Sequence, residues 1–443
     1  MSRHLVLGLG VTGRAVVRAL VAHGDDVVAV DDRPAEPGRQ LAQDLGIEVL
    51  EAPDVAGLKA AVAASDAVVP SPGVPDHHAV FRLAAEAQVP VLSEFDLAAR
   101  WDDRPLVAIT GTNGKTTVTE LTRSMLDASG RRAVAVGNTE VPLVAALDDP
   151  TVDVFVVEAS SFRLLHSRRF APAVGTWLNL APDHLDNHAT LDAYIAAKAR
   201  IWADQAPDQI AVGNADDPVV ADHLRRAPGR RVTFGLHPDA DVHLDGSRLV
   251  LADGTLLASV DELDRAFPHD LANALAAAAS AVHGGATPDG ARQALLEFRG
   301  LPHRVSLVGE AGGVRWYDDS KATAPHATLA AVRGFPSVVL IAGGRNKGLD
   351  LTELTDARDH LRAVVAIGEA ASEVATAFDG HRPVRAATSM DEAVEVAAEL
   401  ARPGDAVLLS PACASFDWYG SYAERGDDFV RAVRQHLATS GAR

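Results

Sequence analysis

Apolar residues in this chain fall into short runs, each followed by a glycine-rich or polar loop and then by an amphipathic stretch. Leu5 to Leu7 reads as a buried strand. Gly8-Leu9-Gly10-Val11-Thr12-Gly13 follows, then a helix with Ala15, Val16, Ala19 and Leu20 on one side and Gly24 at its end. Val27 to Val30 and Ala67 to Val69 are further strands, closed by Asp31-Asp32-Arg33 and by Pro70-Ser71-Pro72-Gly73. The rhythm restarts at Leu106 to Ile109. There Thr110-Gly111-Thr112-Asn113-Gly114-Lys115-Thr116-Thr117 opens a helix whose Val118, Leu121, Met125 and Leu126 share one face, and Gly130 stops it. Val134 to Val136, Val154 to Val157 and Val174 to Leu178 read as strands, and helices are expected from about Leu191 to Gln205 and from His269 to His283. Asp245-Gly246 and Asp253-Gly254 are hairpin dipeptides, predicting an antiparallel patch beside the main sheet. Val338 to Ile341, Val364 to Ile367, Val384 to Ala386 and Ala406 to Leu409 alternate with helices again.

This alternation predicts an α/β protein. A length of 443 residues calls for more than one core. The polar stretch Trp101 to Pro105 and the segment Phe298 to Arg304 mark boundaries. The expected domains are a Rossmann-like unit over 1–103, a central P-loop ATPase-like domain over 104–301 with the antiparallel patch, and a doubly wound domain over 302–443.

Composition narrows the classes. A single cysteine, Cys413, excludes an intrachain disulfide and fits a reducing cytoplasm. Nothing near it in sequence supplies a base, so a small buried thiol is expected rather than a nucleophile. The formal net charge of −19 argues against non-specific binding to nucleic acid or an anionic membrane. Anionic substrates would then need local basic groups. The chain starts directly on a strand without a charged-then-apolar leader, and no apolar run is long enough to span a bilayer. A cytoplasmic protein without membrane insertion is expected.

Two loops carry candidate chemistry. The first is G-x-G-x-x-G with an acidic residue after the next strand, which fits NAD, another phosphorylated nucleotide, or a tight turn without ligand. The second lies between a buried strand and a helix N-terminus, where backbone N–H groups and the helix dipole favour an anion. Lys115 can reach terminal phosphates and Thr116 can ligate Mg²⁺, although Ile109 stands where the general P-loop pattern has glycine. Further polar clusters follow strand ends at Glu158, His184 and Asp319. Glu158 and Thr116 supply the oxygens a hard cation prefers, and a histidine can join them. An ion-paired surface glutamate and a solvated loop histidine are the ordinary alternatives.

Taken together, Gly111 to Thr117, Gly137-Asn138, Ser160-Ser161-Phe162, Asp183-His184-Leu185-Asp186 and Ala197-Lys198 resemble the Mur ligases of bacterial cell-wall synthesis. Gly300-Leu301-Pro302-His303-Arg304, Asp319-Ser320-Lys321-Ala322-Thr323 and Ser410-Pro411-Ala412-Cys413-Ala414-Ser415 extend the likeness over essentially the whole chain. The later blocks resemble the glutamate-adding branch in particular. The resemblance implies three domains and ATP-driven amide formation. Its substrates would be UDP-N-acetylmuramoyl-L-alanine and glutamate, with Mg²⁺ as metal and a monomer as the working state.

The resemblance also implies roles. Val11, Thr12, Asp32, Arg33 and Ser71 would hold the uridine nucleotide, and Asn138 and His184 the muramoyl part. Gly111, Thr112, Asn113, Gly114, Lys115, Thr116, Thr117, Asn273, Arg304, Asp319 and Lys321 would hold ATP. Thr323, Lys347, Ser415 and Tyr422 would hold glutamate. Thr116, Glu158, His184 and a carbamylated Lys198 would surround the metal, with Lys115, His184 and Lys198 catalytic. Helical spacing sets Lys198 on one face with Leu191, Ile195 and Trp202, an apolar stripe where an ammonium is disfavoured. A lysine snorkelling to the helix end is the alternative. Thr139-Glu140, Arg163 and Tyr422 depart from the residues usual in the family (Ile-Gly, Gln and Phe), which leaves D- against L-glutamate open. A folylpolyglutamate synthase-like ligase and a nicotinamide-dependent dehydrogenase are the competing enzymes. Sites divided between domains imply closure around ligands.

Overall fold

Leu5, Val6, Val28, Val30, Val68 and Val69 are almost wholly inaccessible, because strands sandwiched between helices bury both faces. The computed structural model describes residues 1–183, 187–188 and 190–440. Among these, the strands form three sheets. The first is all parallel in the order β3-β2-β1-β4, from β1 (Arg3–Leu7), β2 (Asp26–Asp31), β3 (Glu48–Glu51) and β4 (Ala67–Pro70).

The second sheet is built from β5 (Leu106–Thr110), β6 (Ala133–Gly137), β7 (Val154–Glu158), β8 (Val174–Trp177) and β9 (Ile210–Asn214). It continues through β10 (Arg230–Gly235), β11 (Val242–Asp245), β12 (Arg248–Val250) and β13 (Leu256–Ser259). Its order is β13-β12-β11-β10-β9-β8-β5-β7-β6, parallel from β6 to β11 and antiparallel beyond. The two hairpins expected as an antiparallel patch beside the main sheet are present, and they join it through the β10–β11 pairing. The helix Lys115–Ala128 crosses from the end of β5, and Gly130, at φ 77°, turns the chain back.

The third sheet has the order β14-β15-β19-β16-β17-β18, from β14 (Ser306–Ala311), β15 (Val314–Asp318), β16 (Val338–Gly343), β17 (Leu361–Ile367), β18 (Val384–Ala387) and β19 (Ala406–Ala412). All but β14 run parallel, and β19 enters between β15 and β16. The crevice at such a change of direction is where open α/β sheets bind ligands.

The chain divides into two compact units, Met1–Ala266 with Asp270–Phe298, and Phe267–His269 with Arg299–Arg443. The first unit holds the first two sheets. Its helix Glu94–Trp101 buries Phe95, Leu97 and Ala98 in one cluster with Val6, Leu20, Phe155 and Trp177. Phe95 stacks on Phe170 at 4.6 Å. No helix among the described residues is long and apolar enough to cross a membrane.

Candidate functional site

The glycine loop after β1 is shaped by backbone contact. A Cβ on Gly13 would lie 1.8 Å from the Gly8 carbonyl oxygen, so only glycine lets the helix Val11–Ala22 sit this close to the turn. Asp31 accepts hydrogen bonds from the backbone N–H of Leu9 at 2.6 Å and of Arg33 at 2.9 Å. Of the adjacent acidic pair, Asp31 thus ties the loop, while Asp32 and Arg33 are exposed beside it. Ser71, just past β4, donates to the Gly8 carbonyl at 2.8 Å. Val11 is exposed and Thr12 buried. These residues gather at the C-terminal ends of β1, β2 and β4.

The phosphate loop leaves β5, which lies between β7 and β8. Gly114 takes φ 83°, and a Cβ there would meet Asn273 Oδ1 at 2.4 Å. Asn179, past the end of β8, accepts from the N–H of Thr112 and Asn113 through Oδ1, at 3.1 and 2.9 Å. Lys115 donates to the carbonyls of Gly111 and Thr112, both at 2.9 Å. Lys198, on the helix Leu191–Ala203, donates to the same Gly111 carbonyl at 2.7 Å. Two ammonium groups from different helices thus converge on one oxygen. Burial holds the Lys198 amine well below its usual pKa, and the neighbouring Lys115 charge lowers it further. Beside the loop, Thr117, Leu263, Arg265, Asn273 and Phe298 line a cleft.

The buried face of that helix is Tyr194, Ala197, Lys198, Ile201 and Trp202. Leu191 is 37% exposed and Ile195 half-buried, so the stripe expected for Lys198 is rotated from the one drawn through Leu191. Lys198 is 1% exposed, its nitrogen lies 4.5 Å from the Tyr194 ring centroid, and it does not snorkel.

Glu158, ending β7, is buried; Oε1 accepts from the Asn138 amide at 2.9 Å, whereas Oε2 is buried with no hydrogen-bond donor among the described residues. An orphaned carboxylate oxygen fits a cation ligand. Among the described residues no three His, Cys, Asp or Glu side chains form a ready metal cluster. His184 lies outside the described residues.

In the second unit, the residues expected to hold ATP and glutamate stand past the ends of three adjacent strands. Asp319, Lys321 and Thr323 follow β15, Lys347 follows β16, and Ser415 follows β19. Tyr422 opens the helix Tyr422–Ser440, and the Lys321 ammonium lies 4.9 Å from its ring centroid. Ser415 is buried, whereas Lys347 and Tyr422 are exposed. Arg425, which sequence reasoning passed over, is 1% exposed. It donates to the Ser320 hydroxyl and carbonyl at 3.0 and 2.8 Å and to the Cys413 carbonyl at 3.0 Å, pinning two of these loops. Burial lowers its pKa to about 10. An arginine on an ordinary polar helix position carries no sequence signal of this kind. Burial pushes the Cys413 thiol up to about 12, as befits an unreactive core residue.

Asp319 accepts from Ser410 at 2.7 Å, yet burial pushes its carboxyl up to about 7. A raised folded pKa means the ionised form is disfavoured in the fold. The protonated group's contribution is fully present below about pH 4 and is lost as pH rises through about 7. Asp319→Asn is therefore expected to flatten the fall in stability over this window, by roughly 1 kcal/mol per pH unit. Thermal denaturation from pH 4 to 8 checks this; parallel curves for the two proteins would contradict it.

Three family models match the chain: "Mur ligase MurD-like, N-terminal domain" at 2–93, "Mur ligase middle domain" at 109–281 and "Mur ligase, glutamate ligase domain" at 303–413. UDP-N-acetylmuramoylalanine–D-glutamate ligase of Frankia casuarinae is 47% identical over 97% of this chain and 93% of its own length. The enzyme of that name from Desulfosudis oleivorans is 42% identical over 97% and 96%. Among solved structures, MurF ligase of Thermotoga maritima in complex with ADP aligns with TM-score 0.61 at 18% identity, over 94% of this chain and 95% of that one. MurF of Acinetobacter baumannii gives 0.61 at 19% identity, over 97% and 90%. These structural likenesses establish the fold.

Proposed function

Because this chain belongs to the Mur ligase family, we propose that it is the ATP-dependent ligase joining D-glutamate to UDP-N-acetylmuramoyl-L-alanine in peptidoglycan precursor synthesis. The observation that supports this best is the convergence of Lys115 and Lys198 on the Gly111 carbonyl at the mouth of a phosphate loop. The Lys115 ammonium and the loop N–H groups are suited to a polyanion, and a triphosphate supplies one.

The substrate carboxylate is a poor electrophile, since its leaving group would be oxide. Accepting the γ-phosphoryl group of ATP converts it to an acyl phosphate and releases ADP. The glutamate amine then attacks the acyl carbon, loses a proton and expels phosphate to leave an amide. Both reactants of the first step are anions, so Lys115 and the loop N–H groups act by neutralising and aligning them. Mg²⁺, when bound, supplies further neutralisation of the phosphates. Glu158, Thr116, a carbamylated Lys198 and His184 are the residues that would hold it. Asn273, Arg304, Asp319 and Lys321 complete the ATP contacts. Val11, Thr12, Asp32, Arg33, Ser71 and Asn138 bind the UDP-substrate, with His184 at its muramoyl part. The domains are taken as 1–103, 104–301 and 302–443, in a cytoplasmic monomer.

Thr323, Lys347, Ser415 and Tyr422 are assigned to glutamate. Lys347 follows Gly343 and Gly344, whose φ values of 126° and 129° let the backbone pass within a Cβ of Ile367 and Ala414. Its exposed ammonium follows this glycine turn, a suitable partner for a glutamate carboxylate. Lys347→Ala is expected to raise KM for glutamate roughly tenfold or more with little change in KM for ATP. Equal effects on both would point to a structural role.

The activity is tested by phosphate release from ATP in the presence of UDP-N-acetylmuramoyl-L-alanine, comparing D- with L-glutamate. Release with D-glutamate alone is expected. Release with neither, from folded protein, would overturn the assignment.

A further inference from the structure

Arg163 lies in surroundings that differ from those of a surface arginine. It is 7% exposed, on the helix Ser161–Leu165 beyond β7. One terminal guanidinium nitrogen pairs with Glu94, itself 4% exposed. The other donates to the Thr12 hydroxyl at 2.9 Å. Nε is buried without a partner among the described residues. Glu94 is held in turn by the Val144 N–H at 3.3 Å. Arg163 and Glu94 line a small cleft together with Ser71, Pro72, Asp76 and Phe162, so the pair faces the loop after β4 beside the glycine turn.

A guanidinium has donors and no acceptor, whereas a hydroxyl has one donor and two lone pairs. Thr12 must therefore accept from Arg163, and its own O–H finds no acceptor among the described residues. Thr12 is the second residue of the helix Val11–Ala22, whose Gly10 cap offers no side chain to the first N–H groups. The free O–H and these N–H groups are the donors an anion takes at a helix N-terminus. Glutamine at position 163 would leave the direction of the Thr12 bond open, because an amide can donate or accept.

We propose that Arg163 is a positioning residue that fixes the Thr12 hydroxyl as a donor to the diphosphate of the UDP-substrate, with Glu94 orienting the guanidinium. This rests on the assignment of the glycine loop to the UDP-substrate. The two residues then act as one unit, and neither is useful without the other.

The test is calorimetry with UDP on wild-type protein, Thr12→Val, Arg163→Met and the double variant, with ADP binding measured alongside. Each single variant is expected to weaken UDP binding about tenfold, as one hydrogen bond to a charged group is lost. The double variant should be no weaker than either single one, and ADP binding should be unchanged. Arg163→Lys, which keeps the charge and a donor, should recover part of the loss. Additive losses, or unaltered UDP binding in Arg163→Met, would overturn the relay while the site stands. Failure of wild-type protein to bind UDP would overturn the site and the relay with it. If Arg163→Met loses ADP binding too, Arg163→Lys decides: a loss, on adding Thr12→Val to it, of only the part that lysine recovers sustains the relay, and a full further loss of about tenfold refutes it.

Discussion

Lys115→Ala is expected to abolish ATP turnover, by about a hundredfold or more, while UDP-substrate binding stays nearly intact. The side chain starts the helix Lys115–Ala128 and bends back onto the loop carbonyls of Gly111 and Thr112. There its ammonium waits within the loop that a triphosphate would enter. Alanine is a strong helix former, and Gly111, Gly114 and the Asn179 bonds still shape the loop once the two Lys115 bonds to its carbonyls are lost. The fold should survive the change, and what disappears is charge neutralisation in the transition state. The glycine turn after β1 that is assigned to the uridine nucleotide stands on another sheet of the same unit. Coupled phosphate release and calorimetry with the UDP-substrate measure the two functions separately. Loss of both in a protein of unchanged thermal stability would mean that the two nucleotide sites are wrongly assigned.

Lys198→Ala should lose turnover to a similar extent and retain nucleotide binding. The amine is buried, next to the Lys115 charge, and its pKa is depressed chiefly by desolvation. A neutral amine adds to CO₂, forming an N–C bond and releasing a proton. The resulting carbamate carries a carboxylate on a long stem. Beside Lys115, an anion at this position changes repulsion into attraction. Alanine would leave the Gly111 carbonyl without the Lys198 hydrogen bond, a loss of about 1 kcal/mol in stability, too small to unfold the chain. Carbon-13 bicarbonate should label the wild-type protein at a carbamate shift and leave the variant unlabelled. A high-resolution density map of the fully liganded, active complex that shows an unmodified lysine would refute carbamylation.

The predicted strands at Leu5, Val27, Leu106, Val154, Val174, Val338, Val364 and Ala406 all form. Runs of β-branched and aliphatic residues between glycine loops have few other uses in a sheet covered on both faces. Short strands with weak apolar signal, such as Glu48–Glu51, and the pair Ser306–Ala311 with Val314–Asp318 escape such reading, since their pattern is half polar. The hairpin dipeptides foretold the turns but not that β11 would pair with β10 and prolong the central sheet. Pairing between strands is a long-range choice that local sequence does not encode.

Residues in contiguous motifs were legible because their chemistry depends on local backbone: a glycine turn, a helix N-terminus, a lysine one residue inside it. What lies between motifs was not. That Asp31 rather than Asp32 ties the glycine loop depends on which carboxylate the strand's pleat turns towards Leu9. That Lys198 faces Tyr194 and Ile201, and reaches Gly111 across 87 positions of sequence, depends on how its helix rolls against β5 and β8. The Arg163–Glu94–Thr12 chain joins three segments by side chains alone. The amino-acid sequence by itself determined the strand–loop–helix units and the chemistry each loop offers, since both follow from neighbours along the chain. Only the tertiary structure decided which buried charges meet, because a charge leaves water for the interior only where distant segments bring it a partner.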